Sequence, residues 1–154
     1  MKTRDERRPF RNSGIAYKPK KRKIEQGIDL RIATHMRKYY PGVVFHFDFA
    51  ADADLSAYQR KLNSALQSQH KYPDLTILAA RRGYCGLILE IKADNVTVIL
   101  KNGKLTSDPH IRAQAKTLRL LNEQGYYANF AIGFDGFIRI LRWYFGEPQQ
   151  QELF

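Results

Sequence analysis

Apolar positions recur with two different periods along this chain, and the switches between periods mark its elements. Ile28, Ile32 and Met36 fall at helical spacing and predict a helix over 24–39, ended by Pro41-Gly42. VVFHFDF then alternates with period two, a strand over 43–49. In the loop AADADLS, Asp54 or Ser56 is placed to cap a second helix over 57–69. Residues 74–80 and 84–92 read as two strands joined by a turn at Arg81-Arg82-Gly83, and Asn102-Gly103 centres a small hairpin in VTVILKNGKLTS. Asp108, Pro109 and Gly125 supply the cap, first position and stop of a further helix. A strand over 126–133 follows, and Asp135 opens a final helix ending near Phe145. This order predicts an α/β layer fold with a mixed sheet.

The hairpin PDLTILAARRGYCGLILEIK places an acid near each end of an apolar pair of strands, with a lysine two residues beyond the second acid. A turn centred on Arg82 pairs positions whose numbers sum to 164, setting Asp74 opposite Glu90. Directly opposed residues share a face, and alternation adds Lys92 to it. Leu75, Ile77, Leu87, Leu89 and Ile91 take the other, apolar face. A one-residue bulge would undo this register. Two opposed carboxylates repel, so something must offset them. Lys92 alone gives a salt-bridged cluster. A divalent cation with oxygen ligands does the same and adds chemistry, since it lowers the pKa of bound water and stabilises charge on a phosphate. Residue patterning leaves both readings open.

Composition changes the picture through charge. The formal net charge is +11, and residues 1–23 hold ten Lys/Arg against Asp5 and Glu6, leaving a mildly basic domain over 24–154. The segment 1–23 has no hydrophobic period and reads as a flexible basic arm. Its natural partner is a polyanion, with Arg7, Arg8, Arg11, Lys18, Lys20, Lys21, Arg22 and Lys23 as phosphate contacts; the alternative is a solvated solubility tail. The single cysteine, Cys85, lies in an apolar run and is expected to be a buried structural thiol in a reducing compartment. No apolar stretch is long enough to span a bilayer, and no apolar core follows the basic N-terminus as in a secretory signal. Asp48, Asp52 and Asp54 lack the glycine and terminal glutamate of a calcium loop, and His35, His46 and His70 lack zinc spacing.

Pro73-Asp74, followed one strand later by Glu90-Ile91-Lys92, resembles the PD-(D/E)XK nuclease superfamily. The stretch HIRAQAKTLRLLNEQGYYANFAIGFDGFIRIL resembles its VRR-NUC branch, especially the small stand-alone members of phages and prophages. The resemblance spans about 24–145. It implies a restriction-endonuclease-like core of αβββαβ order, here with an extra helix and the small hairpin. It implies Mg²⁺ or Mn²⁺ held by Asp74, Glu90 and the Ile91 carbonyl, with Glu25 adding a ligand, often through water. Lys92 and Gln114 complete the implied catalytic set, Gln114 orienting Lys92 or the phosphate. Glu25 stands at helical spacing to Ile28 and Ile32, at the edge of the core-facing stripe; an exposed first-turn glutamate is the alternative. His110 is one turn before Gln114, either a nucleic-acid contact or a surface histidine. The implied activity is direct hydrolysis of DNA, favouring branched, flap or junction forms, with a role in repair or recombination in the cytoplasm of a bacterial or phage-infected cell. A homodimer fits, because one site cuts one strand. The rival reading is a non-catalytic basic nucleic-acid-binding module that retains the fold.

Overall fold

A computed structural model describes residues 22–48 and 55–147, with side chains from residue 27 onward. The chain runs α1 (Arg22–Tyr39), β1 (Val44–Phe47), α2 (Ala57–Leu66), β2 (Leu75–Leu78), β3 (Leu87–Lys92), α3 (Pro109–Glu123), β4 (Tyr127–Ile132) and α4 (Gly133–Phe145). The sheet order is β1-β2-β3-β4. The first three strands are antiparallel neighbours, and β4 lies parallel to β3 after the α3 crossover. This is the α/β mixed sheet that the element order predicts.

Alternation divides the sheet into two faces. Leu75, Ile77, Leu87, Leu89 and Ile91 join Ile28, Ile32 and Met36 of α1 and Phe137, Leu141 and Tyr144 of α4 in the main core. The opposite face carries a smaller cluster, in which Ile88 and Ala128 meet Leu118 of α3. Each fully buried Leu or Ile contributes about 1.5–3 kcal/mol, so the first face supplies most of the driving force. Hydrogen bonds tie α4 and the residues after it to their surroundings: Tyr144 donates to the Ala79 carbonyl at 2.7 Å, Arg82 Nε to the Trp143 carbonyl at 2.5 Å, and Tyr40 to Glu147 at 2.6 Å.

The hairpin register is the expected one, since Leu75 opposes Leu89 and Ile77 opposes Leu87. The turn that produces it differs. Arg81 and Tyr84 exchange backbone hydrogen bonds around a two-residue turn, Arg82-Gly83, both at positive φ. That turn alone would shift the pairing by one. Between it and the ladder stand Leu78, Ala79 and Ala80 on one strand but only Cys85 and Gly86 on the other. This bulge restores the register that the apolar face requires.

Several other expectations are corrected. Cys85 is exposed, because it lies in the bulge beyond the paired ladder. The second helix ends at Leu66, short of 69; its cap is Ser56, in a reciprocal capping box with Gln59. The Asn102-Gly103 hairpin is minimal, a single bridge between Ile99 and Leu105. The last helix opens at Gly133, directly on the end of β4, and Asp135 sits in its first turn without capping it. Gly133 has φ +63, and a Cβ there would lie 1.8 Å from Asp94 Oδ1. Only glycine permits that chain reversal under the Asp94 carboxylate.

Phe49, Asp52, Asp54 and most of the basic arm, including Arg7, Arg8, Arg11, Lys18, Lys20 and Lys21, lie outside the described residues. Among the described residues, no helix is long and apolar enough to cross a membrane.

Candidate active site

The candidate residues come from three elements. Asp74 immediately precedes β2, Glu90 and Lys92 share one face of β3, and Gln114 lies on α3 facing them. Helix α3 starts as its sequence dictates: Asp108 Oδ1 accepts from the backbone N–H of His110 at 2.8 Å and of Ile111 at 3.2 Å, with Pro109 at the first position. Its buried positions are Ile111, Gln114, Thr117 and Leu118, a stripe of helical period in which glutamine occupies an otherwise core position.

Three of the four polar side chains are buried, and Asp74 is partly buried. Glu90 and Gln114 are each 2 % exposed and Lys92 is 8 % exposed. Lys92 Nζ donates to Glu90 Oε1 at 2.9 Å, and Gln114 Nε2 donates to the same oxygen. The Gln114 Oε1 atom is buried and has no protein partner. Asp74 extends past the end of the ladder, and its Oδ2 accepts from the Ile91 N–H at 2.7 Å.

The Glu90 carboxylate lies near enough to Asp74 for its charge to act on it. Burial, and next the Glu90 charge, push the Asp74 carboxyl up to about 7, against the pull of the Ile91 N–H and the Lys92 charge. In the metal-free protein Asp74 therefore holds its proton to a higher pH than an ordinary carboxyl. Lys92 pairs with Glu90, and Asp74 is left with a raised pKa.

The residues fit a divalent cation. A carboxyl held protonated by burial and by a neighbouring carboxylate charge marks a site that added positive charge would complete. The orphaned Gln114 oxygen is an acceptor for which the bound water of such a cation carries the donor. Mg²⁺ is commonly held by one or two carboxylates with the remaining ligands from water and phosphate. Among the described residues, no group of three or more His, Cys, Asp or Glu side chains gathers to hold a metal, so the described acidic set is this pair. Glu25 lies within α1, but its side chain is outside the described residues, as are those of Arg22 and Lys23.

His110 sits at the edge of the site. Its Nε2 lies 2.8 Å from Lys71 Nζ, and its pKa is lowered by partial burial, then by the charges of Lys71 and Lys92, with Asp108 and Asp74 opposing. Lys71 is a residue that sequence reasoning missed. It stands three places before Asp74, in a segment without hydrophobic period, and its closeness to Asp74 in the chain was the one available signal.

A mixed sheet with two antiparallel joins, one parallel crossover and acids at the β2–β3 join defines the restriction-endonuclease-like class of α/β folds. Within it, the chain resembles a solved structure described as a VRR_NUC domain protein, with a TM-score of 0.56 and 23% sequence identity, over 80% of this chain and 88% of that one. No family model matches the chain, and the comparison with curated proteins finds no match either.

Proposed function

We propose that the chain is a divalent-metal-dependent nuclease that hydrolyses phosphodiester bonds in DNA, in the manner of small stand-alone VRR-NUC proteins. One observation carries this reading: Asp74, Glu90, Lys92 and Gln114 converge on one sheet face, where burial and the Glu90 charge push the Asp74 carboxyl up to about 7. A cluster of this kind is costly to bury, and strongly shifted carboxyls gather at sites of chemistry more than in ordinary cores.

Asp74, Glu90 and the Ile91 carbonyl are the groups that would hold the cation, with Glu25 contributing through water. When bound, the cation supplies Lewis acidity and lowers the pKa of a coordinated water. The other roles belong to the chain itself. Lys92 orients the attacking water, or balances the charge that grows on the phosphate oxygens as the phosphorus–oxygen bond to the leaving sugar breaks. Gln114 fixes the Glu90 carboxylate through its amide N–H and leaves its oxygen to orient a water. Attack is direct, with no covalent intermediate on the enzyme. His110, with Lys71, contacts a neighbouring phosphate.

Substrate choice rests on DNA shape, with branched, flap and junction forms preferred. The basic segment 1–23 adds salt-sensitive phosphate contacts to a catalytic domain over 24–154. Assembly as a homodimer would let two sites cut two strands. The test is incubation with labelled linear, flap and four-way-junction DNA in Mg²⁺, Mn²⁺ or EDTA. Cleavage with either metal and none in EDTA is the expected result. DNA binding without cleavage under all conditions would sink the nuclease reading in favour of a binding module built on the same fold.

A further inference from the structure

A cleft of about 390 Å³ opens beside the candidate active site, between the segment preceding β2 and the C-terminal half of α3. Its floor is Ile88, two residues before Glu90 on the same strand face, about 6.6 Å away along the strand. Its α3 wall includes Thr117, one turn beyond Gln114, and Leu121. Its other wall is Tyr72-Pro73, which runs straight into Asp74. The cleft is thus a continuation of the face that carries the two carboxylates.

We infer that this cleft receives one unpaired base of the DNA strand whose backbone crosses Asp74 and Glu90. The inference rests on the nuclease reading and sharpens it, because it names what the protein recognises in branched DNA. The first support is the chemistry of the walls. Tyr72, Pro73, Ile88 and Leu121 present an aromatic ring and aliphatic surfaces, the partners that unstacked bases take in proteins. The Tyr72 ring is held, since its hydroxyl is 2.8 Å from Thr76 Oγ1, yet the residue stays 46 % exposed, so a ring face is available. Gln124 at the rim offers an amide to a base edge.

The second support is the position of Lys71. It lines the cleft and also lies against His110 at the edge of the carboxylate site. A strand with its scissile phosphate at the carboxylates and its adjacent base in the cleft must pass a phosphate between them, and the Lys71 ammonium stands there. A stacked duplex keeps its bases covered by neighbours 3.4 Å away, so only an unpaired or extruded base reaches the cleft. Flaps and junction arms provide such bases, and continuous duplex does not.

The experiment uses the full chain and a flap DNA carrying 2-aminopurine, either at the unpaired position next to the cut or within the duplex arm. Binding is followed in EDTA by 2-aminopurine fluorescence, and cleavage is measured separately with Mg²⁺. Fluorescence of the unpaired probe should fall on binding the wild-type protein and not on binding Tyr72→Ala, while the duplex probe should not respond. Tyr72→Ala should weaken binding of the flap by roughly tenfold, within the range for loss of one base–aromatic stack. Gln124→Trp, which fills the cleft from its rim, should bring flap and continuous-duplex cleavage rates to within about twofold of each other. Circular dichroism identifies a variant that fails to fold, and the wild-type fluorescence decides independently of either variant. Cleavage of flap DNA by wild-type protein with an unresponsive unpaired probe would overturn the base site and leave the nuclease reading standing. A quenched unpaired probe on a protein that never cuts would support the base site and remove the nuclease reading.

Discussion

Ile91 and Glu90 are neighbours on β3, and each is 2 % exposed, yet they lie on opposite faces that follow opposite energetics. On the Ile91 face, the apolar side chains of β2 and β3 meet α1 and α4, and burial is favourable at about 25 cal/mol per Å². On the Glu90 face, two carboxylates, an ammonium and an amide meet α3, and burying ions costs several kcal/mol each before pairing. Equal burial therefore does not mean equal purpose. One face makes the fold; the other is tolerated because the first is strong. Three of the four polar groups are mutually repulsive or unsatisfied, the arrangement that the proposed cation would relieve.

The sharpest break of this comparison is a pair of substitutions on adjacent faces. Glu90→Gln should lower metal-dependent cleavage by about 10³-fold or more, the scale of several kcal/mol of transition-state charge stabilisation. Its effect on stability should stay within about 1 kcal/mol, because loss of the Glu90 charge lets Asp74 ionise and take over Lys92. Leu89→Ala, fully buried one residue away, should do the reverse. It should destabilise the fold by about 2–5 kcal/mol while the remaining folded protein cuts at the wild-type rate. Urea unfolding and single-turnover cleavage of both variants test the contrast. It fails if Glu90→Gln unfolds like Leu89→Ala, or if it cuts normally.

A pH series separates the faces next. Below neutrality the folded protein holds the Asp74 proton, while the unfolded chain releases it near the ordinary value of 3.8; the folded group titrates at about 7. Between these values the native state binds more protons than the unfolded one, so raising the pH favours unfolding. Stability of the metal-free protein should fall across pH 4–7 by an amount of order 1–4 kcal/mol from this group, and the fall should be absent in Asp74→Asn. Mg²⁺ should restore stability mainly above pH 7, where Asp74 has lost its proton. Denaturant unfolding in EDTA at several pH values measures it, and parallel curves for the wild type and Asp74→Asn would refute the raised Asp74 carboxyl.

How far the sequence carried differs between the faces too. Alternation of Leu75 and Ile77 against Leu87, Leu89 and Ile91 made the register legible, and with it the opposition of Asp74 and Glu90. The turn was misplaced by half a residue, and the bulge that repairs it has no signature among Leu78, Ala79 and Ala80. The hydrophobic requirement of the face was the stronger signal, which is why the register held. Gln114 was placed by its resemblance and by its helical phase with Leu118. Lys71 was not found, because nothing periodic fixes the segment before Asp74. Helix α2 shows the opposite failure of legibility. Tyr58, Leu62 and Leu66 recur every four residues as in a packed helix, yet they are 74 %, 44 % and 77 % exposed. Period reports that a face exists, not that the described chain covers it.

The smallest expected effect belongs to Gln114, where two opposing costs nearly cancel. Its amide N–H donates to the ionised Glu90, and a charge-assisted bond of this kind contributes about 1.5–3 kcal/mol. Its oxygen is buried without a partner, and an unsatisfied acceptor costs about 1–3 kcal/mol. Methionine has similar length, fills the same space and removes both terms. Gln114→Met should therefore change stability by less than about 1 kcal/mol, far less than a cavity at the same depth would. Cleavage should fall by about tenfold, because Glu90 and Lys92 keep their charges and lose only the group that holds them. The fall should be smaller than for Glu90→Gln at every metal concentration. Gln114→Glu would add a third carboxylate beside Asp74 and Glu90, so it should destabilise the metal-free protein and be rescued in part by Mn²⁺. Thermal unfolding of both variants with and without Mn²⁺ distinguishes the outcomes. A Gln114→Met protein destabilised by 3 kcal/mol or more would show that the orphaned oxygen has a partner in solution, and that Gln114 belongs with the face that makes the fold.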